Sequence, residues 1–457
     1  MKMPQIDQFY KLNFYFIIFY IFLHFEQEIR KIMVKYRQRI VDSLLRFKLE
    51  SIGAVLIEGP KACGKTSTAE QQAGSVLYLD NPSTMEQNLQ LAQTDINQLL
   101  SGVTPRLIDE WQLAPQLWDA IRFEVDHRDD DGQFMLTGSA VPADMSRVKH
   151  SGAGRFGWLT MRPMTLWESG ESSGEVGLSA LFADNATVSG INPLNLYQVA
   201  YVTCRGGWPK AVTKKSPRAA LAQIQEYFRA IVQSDISRVD EVARNANRAH
   251  RLMRSYARHQ GSQVSISVIK ADLEANESTE MSDNTIESYL GALRKIFVIE
   301  DMTAWNPNLR SKTAIRTTDT RYFVDPSVAT TALGLGPSDL INDLNTFGLM
   351  FETLCVRDLR VYADAMGGKV YHYRDANGLE CDAVVHLPNG HYGLVEVKLG
   401  GERLVAEGAA NLSKLTAKID TTRMKSPSFS MILTAVGERA YKRTDGILVV
   451  PIGCLKD

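Results

Sequence analysis

The sequence predicts an α/β protein in three parts: a P-loop parallel sheet with a helical lid, then a winged helix, then a small mixed α/β domain. Three observations carry that prediction. The apolar run Gly53-Ala54-Val55-Leu56-Ile57 leads into Glu58-Gly59-Pro60-Lys61-Ala62-Cys63-Gly64-Lys65-Thr66, a complete GxxxxGK[ST] loop followed by a helix-compatible segment. Strand and helix patterns then alternate from Met33 to about Arg162, as a parallel sheet with helices on both faces requires. In the C-terminal third, Lys369–Arg374 and Leu379–Val385 flank Asp375-Ala376-Asn377-Gly378, whose Asn-Gly pair signals a hairpin.

The loop states its chemistry in its residue types. Backbone N–H groups of such a loop turn inward to hold phosphates, and Gly59 and Gly64 leave room for that approach. Pro60, Lys61, Ala62 and Cys63 complete the cradle, Lys65 reaches the outer phosphates, and Thr66 ligates magnesium at the N-terminus of the next helix. The cofactors expected are therefore ATP, with GTP as the other candidate, and Mg2+. Arg106-Leu107-Ile108-Asp109-Glu110 has the form of a Walker B strand end, in which Asp109 holds the metal through water and Glu110 polarises the attacking water. The same two acids could instead cap a helix. A third apolar run, Gln133-Phe134-Met135-Leu136-Thr137-Gly138-Ser139, ends in hydroxyls. Arg155, among the glycines of Ser151-Gly152-Ala153-Gly154-Arg155-Phe156, could reach a phosphate of its own or a neighbouring subunit, or pair with a carboxylate; both readings stay open.

A chain of 457 residues is long enough for roughly three domains. Its net charge of −1 argues against a strongly basic nucleic-acid coat, though not against a local patch. Cys63, Cys204, Cys355, Cys381 and Cys454 form no CxxC pair, so neither a zinc cluster nor a disulfide framework is indicated, and a reducing, cytoplasmic setting fits. The aromatic, apolar run Phe14–Leu23 is too short to span a bilayer and lacks a signal-peptide cleavage site. Residues 1–32 read as an upstream extension from a misassigned start, with a membrane-surface anchor as the alternative; a membrane role is disfavoured.

The combination Gly-Pro-Lys-Ala-Cys-Gly-Lys-Thr, Leu-Ile-Asp-Glu-Trp-Gln, Leu-Thr-Gly-Ser and Gly-Arg-Phe resembles the bacterial and archaeal AAA-superfamily ATPases that carry a C-terminal domain of unknown function. The resemblance covers nearly everything from Met33 onward and departs from the family pattern at Ala62, where a bulky aromatic is usual. It implies ATP binding, and it makes Ser139 the polar sensor of the terminal phosphate. In such ATPases a Gly-Gly-x-Pro turn of the helical lid lies against the adenine. Here Gly206-Gly207-Trp208-Pro209 closes the helix Leu196–Trp208, and a plain helix cap before proline explains the same letters. The Glu-, Gly- and Ser-rich residues 165–190 read as a flexible linker, and Leu221–Val239 continues the lid.

Arg244, Arg248, Arg251, Arg254 and Arg258 recur at helical spacing and share a face, either a phosphate-contacting stripe or a solvated face paired with acids elsewhere. Ser265–Glu274, a helix N-capped by Ser282, and a strand Val298–Glu300 follow in the order of a winged helix-turn-helix.

In the last third, Glu396 and Lys398 share one face of a strand that follows Pro388-Asn389-Gly390. With Asp382 across from them they form the D-(E)xK arrangement of restriction-endonuclease-like folds, and Glu352 supplies the acid that such folds add from their first helix. Asp382 and Glu396 would hold Mg2+ or Mn2+ while Lys398 steadies developing charge. The expected domains are 1–32 extension, 33–165 ATPase core, 190–240 lid, 241–330 winged helix and 340–457 nuclease-like domain. The function expected is an ATP-hydrolysing switch, with DNA or RNA and a second copy of the chain as candidate partners. The alternative is a signalling or scaffold ATPase whose nuclease-like site is silent and binds protein.

Overall fold

Strands β1 (Ala54–Glu58), β2 (Ser75–Tyr78), β3 (Arg106–Asp109), β4 (Phe134–Gly138) and β5 (Phe156–Thr160) are mutually parallel and lie in the order β2-β3-β4-β1-β5. Their continuous apolar runs suit strands buried on both faces, and every residue of Ala54–Ile57 is buried. Parallel pairing brings the C-terminal ends Glu58, Asp109 and Gly138 to one edge, where open α/β sheets bind ligands. The computed structural model describes residues 36–128, 130–140, 150–183, 188–240, 242–309 and 314–457. The chain divides into the units Met1–Gln38 and Arg39–Asp457, and all that follows concerns the second. The apolar run Phe14–Leu23 and the start at Met33 lie outside the described residues. No described helix is long and apolar enough to cross a membrane.

A helical region follows. Helix Leu196–Arg205 is started by a capping box at Asn195, and Pro217–Ala230 runs into a π turn, Ile231–Asp235. Helices Ala246–Arg258, Ile266–Glu277 and Asp283–Lys295 come next, the last N-capped by Ser282. Beyond them Ile299 and Met302 make only isolated antiparallel bridges to Phe323 and Thr320, so the expected strand Val298–Glu300 is reduced to a single pairing.

The C-terminal sheet is mixed. Short strands β6 (Val176–Gly177) and β7 (Gly190–Ile191) come before β8 (Lys369–Arg374), β9 (Glu380–His386), β10 (Tyr392–Lys398), β11 (Phe429–Thr434), β12 (Arg439–Lys442), β13 (Leu448–Pro451) and β14 (Leu455–Lys456). Seven of them lie in the order β7-β12-β13-β11-β10-β9-β8, and β14 pairs with β6. Helix Leu344–Ala365 precedes β8, and helix Glu402–Lys418 crosses over between the parallel strands β10 and β11.

One expectation needs correction, and one open choice is decided. The described residues between 165 and 190 are not a free linker: Thr165 forms a capping box with Glu168, Ser173 N–H donates to the Gly453 carbonyl, and Ser172 Oγ donates to that of Leu455. The small polar residues there serve as caps and sheet edges. The arginine stripe is mostly neutralised: Arg244 pairs with Asp240 at 2.6 Å, Arg254 with Glu277 at 3.3 Å and Arg258 with Asp272 at 2.6 Å, and Arg251 donates to Thr279 Oγ1. Arg244 also precedes the helix, which begins at Ala246.

Candidate functional site

The phosphate loop is shaped by three left-handed backbone positions: Gly59 at φ +150°, Ala62 at +64° and Gly64 at +108°. A Cβ on Gly59 would lie 2.0 Å from the Met161 carbonyl oxygen, so only glycine fits. Ala62 accepts the left-handed region at a cost of about 1 kcal/mol. Arg39 holds the loop from beneath, its guanidinium donating to the carbonyl oxygens of Cys63 at 2.9 Å and Arg162 at 2.8 Å and to Glu168 at 3.0 Å. Gly64 caps helix Lys65–Glu70, and the buried Lys65 ammonium donates to the Gly59 and Pro60 carbonyls, both at 2.9 Å.

The ends of β3 and β4 complete this edge. Asp109 Oδ1 accepts from Thr66 Oγ1 at 2.8 Å and also from Thr137 Oγ1. Burial pushes the Asp109 carboxyl above its ordinary range, and these two hydroxyls oppose the shift. Glu110, next in the chain, takes a left-handed conformation (φ +56°) and accepts hydrogen bonds from Ser139 Oγ at 3.0 Å and from Gln112 Nε2. A non-glycine residue held there is a strained position of the kind found at functional sites.

A cavity of about 610 Å³ opens over this edge. Lys61, Glu110 and Ser139 form its sheet side, and Tyr227, Asp235 and Arg238 close it from the helical region. Lys61 Nζ lies 3.2 Å from Asp235 Oδ1, joining the loop to the π turn. Arg238 is exposed to the cavity and has no ion-pair partner among the described residues. The donor set suits a magnesium-bound triphosphate: a hydroxyl and a carboxylate 2.8 Å apart, a buried ammonium at the loop mouth, and a cavity of drug-sized volume.

A second cluster lies in the C-terminal sheet. β9 and β10 pair with Ala383 opposite Val395, so the continuing ladder sets Asp382 beside Glu396. Lys398 Nζ lies 2.6 Å from Glu396 Oε2 and 3.3 Å from Asp382 Oδ2, and the Val397 N–H donates to Asp382 at 2.7 Å. Glu352, from helix Leu344–Ala365, receives the Tyr322 hydroxyl, and Gly261 packs so closely that a Cβ there would stand 2.8 Å from Glu352 Oε1. Burial, then the nearby Asp382 charge, raises the Glu352 carboxyl to about 8 and pushes Glu396 well above its usual range. Burial opposes the Lys398 charge, yet Asp382 and Glu396 hold its pKa above the ordinary lysine value.

Residues 52–169 match the AAA domain family. This stretch is similar to P-loop ATPase domains. Residues 197–339 match a domain of unknown function, DUF8612, and residues 347–455 match another, DUF4143. Two uncharacterized proteins, one of Mycobacterium tuberculosis and one of Mycobacterium bovis, are each 22% identical over 413 residues, 89% of this chain and 82% of theirs. A solved structure titled "Structure of C. elegans PCH-2" aligns at 14% identity over 56% of this chain and 65% of that chain. This chain thus spans just under two thirds of that protein, with a TM-score of 0.18.

Within the AAA domain the structure brings Gly59, Pro60, Lys61, Ala62, Cys63, Gly64, Lys65, Thr66, Asp109, Glu110 and Ser139 to one sheet edge. It does not bring Arg155 there. Phe156 pairs with Ala54, the first residue of β1, so Arg155 stands at the opposite end of the sheet and pairs with Asp126 at 2.7 Å. The Gly206–Pro209 turn borders this edge: Trp208 packs 4.2 Å from the cavity residue Tyr227, Pro209 lies beside Gly64 of the loop, and the Gly207 N–H and Trp208 Nε1 donate to Asp325 at 3.0 Å and Ser327 at 2.9 Å. In the C-terminal region Glu352, Asp382, Glu396 and Lys398 do converge. Among the described residues no group of three or more His, Cys, Asp or Glu side chains could hold a metal ion. The Lys398 ammonium itself bridges Asp382 and Glu396.

Sequence reasoning passed over Thr137, Asp235 and Arg238. Thr137 carried a faint signal, a hydroxyl inside the apolar run of β4. Asp235 and Arg238 carried none, because their place depends on how the π turn folds the helical region over the sheet.

Proposed function

We propose that this chain is an ATP-binding and ATP-hydrolysing switch protein, whose AAA domain acts on the helical and C-terminal regions packed against it. The reading rests on Asp109, engaged by both Thr66 and Thr137 beside Glu110 at the mouth of the 610 Å³ cavity. Lys65 and the N–H groups of the loop bind the triphosphate, and Thr66 and Asp109 hold Mg2+, which offsets the phosphate charge when bound. Glu110 orients and deprotonates the attacking water, and Ser139, bonded to Glu110, reports the terminal phosphate. The Lys61–Asp235 pair carries occupancy of the loop to the helical region. Equilibrium ATP binding tests this: the wild-type chain binds and Lys65→Ala does not, whereas equal affinity of the two would reject the assignment.

A second reading concerns the C-terminal cluster. Tyr322 over Glu352, and Lys398 between Asp382 and Glu396, favour a silent site that binds protein over one that cleaves nucleic acid. Single- and double-stranded DNA and RNA, incubated with magnesium or manganese, with and without ATP, should stay intact. Cleavage that Lys398→Ala abolishes would instead make the cluster a nuclease centre.

A further inference from the structure

A second cavity, of about 580 Å³, lies at the other end of β10 from Lys398. Tyr392 begins that strand and Lys398 ends it, so the two sites are about 20 Å apart at roughly 3.3 Å per residue. The cavity has an aromatic wall and a cationic rim. Trp305, Tyr371 and His386 make the wall, with ring centroids 6.4 Å apart for both Trp305–His386 and Tyr371–His386. Arg423 and Lys425 stand on the rim, and no carboxylate is among the described lining residues.

The site is built. The Trp305 N–H donates to the His372 carbonyl at 2.7 Å, which adds the Trp305 segment to the edge of β8. The Asp420 N–H donates to the Asn308 carbonyl at 3.0 Å, fixing the strap that carries the Asn306 and Asn308 amides. Tyr392 packs 4.9 Å from Trp305, and its hydroxyl donates to the Lys425 carbonyl at 2.6 Å, anchoring the basic segment from below. Arg423 remains largely exposed beside Asp420 at 3.4 Å, and the Lys425 ammonium rests on the Asn389 carbonyl at 3.1 Å, a neutral group that an anion readily displaces. Burial lowers the His386 pKa, so its ring is a neutral stacking surface at physiological pH.

A partly exposed aromatic ring stacks a planar ligand, two amides read polar edges, and a rim that carries Arg423 and Lys425, with Asp420 beside Arg423, favours an anion. The volume falls within the roughly 300–1,000 Å³ of small-molecule sites. We propose that this cavity binds a nucleobase carrying a phosphate, with the base against the partly exposed rings of Tyr371 and His386 and the phosphate at Arg423 and Lys425. The source is either a free mononucleotide or one nucleotide of a single strand.

The test uses the full chain carrying Lys65→Ala, so that the phosphate loop contributes little. AMP, UMP and a short 5′-phosphorylated oligouridylate are titrated against it, read by calorimetry and by tryptophan fluorescence. Binding is expected, and the added substitutions Arg423→Ala and Lys425→Ala should weaken it about tenfold or more without changing the melting profile, since both side chains are exposed. Saturation by the mononucleotide with no gain from the oligonucleotide identifies a free nucleotide. Tighter, salt-sensitive binding of the oligonucleotide identifies a strand. No binding of any probe up to millimolar concentration, or binding that the double substitution leaves unchanged, overturns the proposal.

Discussion

The Thr66 hydroxyl donates to the Asp109 carboxylate across 2.8 Å, linking the phosphate-loop helix to the end of β3. Parallel strand polarity produces this relationship. Glu58 pairs with Gly138 and Asp109 with Thr137, so the loop after β1 and the acids after β3 open on the same edge.

Asp109→Asn keeps the shape and both hydroxyl contacts but removes the charge that would hold magnesium under the proposed function. ATP turnover should fall about 10²-fold or more, and excess magnesium should recover part of the loss. Steady-state phosphate release across a magnesium titration checks this.

Glu110→Gln should separate binding from chemistry. Glu110 lies beside the loop but makes none of its contacts, bonding instead to Ser139 and Gln112. ATP affinity is expected to stay within about threefold while kcat falls about 10²-fold. Parallel losses in both would assign Glu110 a structural role.

Arg238→Ala removes a cation that faces the cavity without a partner among the described residues. kcat/KM for ATP should drop about tenfold or more while stability stays within roughly 0.5 kcal/mol, as for an exposed side chain. Kinetics paired with a thermal melt test both halves of that expectation.

Glu352 makes stability depend on pH. Its carboxyl is raised from 4.5 to about 8 in the folded chain, so the folded state holds a proton that the unfolded state releases across that interval. Stability from this group is therefore present in full below about pH 4.5 and is lost as pH rises towards 8. Glu396, also raised, acts with the same sign. Glu352→Gln should flatten the decline, with a difference from wild type on the order of 4 kcal/mol at most near pH 8. Urea unfolding of both proteins at pH 5.5 and pH 8.5 checks it; parallel slopes would contradict the placement.

Much of the AAA domain was legible because its signals are local. Gly59 and Gly64 mark a loop that only glycine can close, and Asp109-Glu110 ends an apolar run whose period gives a buried strand. Glu396 and Lys398 were legible through strand alternation, and Asp382 through hairpin register. The failures are tertiary. Arginine spacing gave the helix Ala246–Arg258 and its shared face, but the counter-charges Asp272 and Glu277 come from the next helix. The letters around Arg155 left a phosphate-reaching finger and a carboxylate pair equally open, and the polarity of β5 decides for the pair, setting that residue at the far end of the sheet beside Asp126. Nothing in the letters marks Tyr322 as the residue over Glu352, since 30 positions separate them and their meeting depends on how two regions dock.

The central claim is that Lys65, Thr66, Asp109 and Glu110 turn over ATP. The most direct measurement is phosphate release from ATP by the purified wild-type chain beside Lys65→Ala under identical magnesium and salt. The account predicts turnover in the wild type and its loss to background in the variant. Equal rates in the two proteins would contradict it.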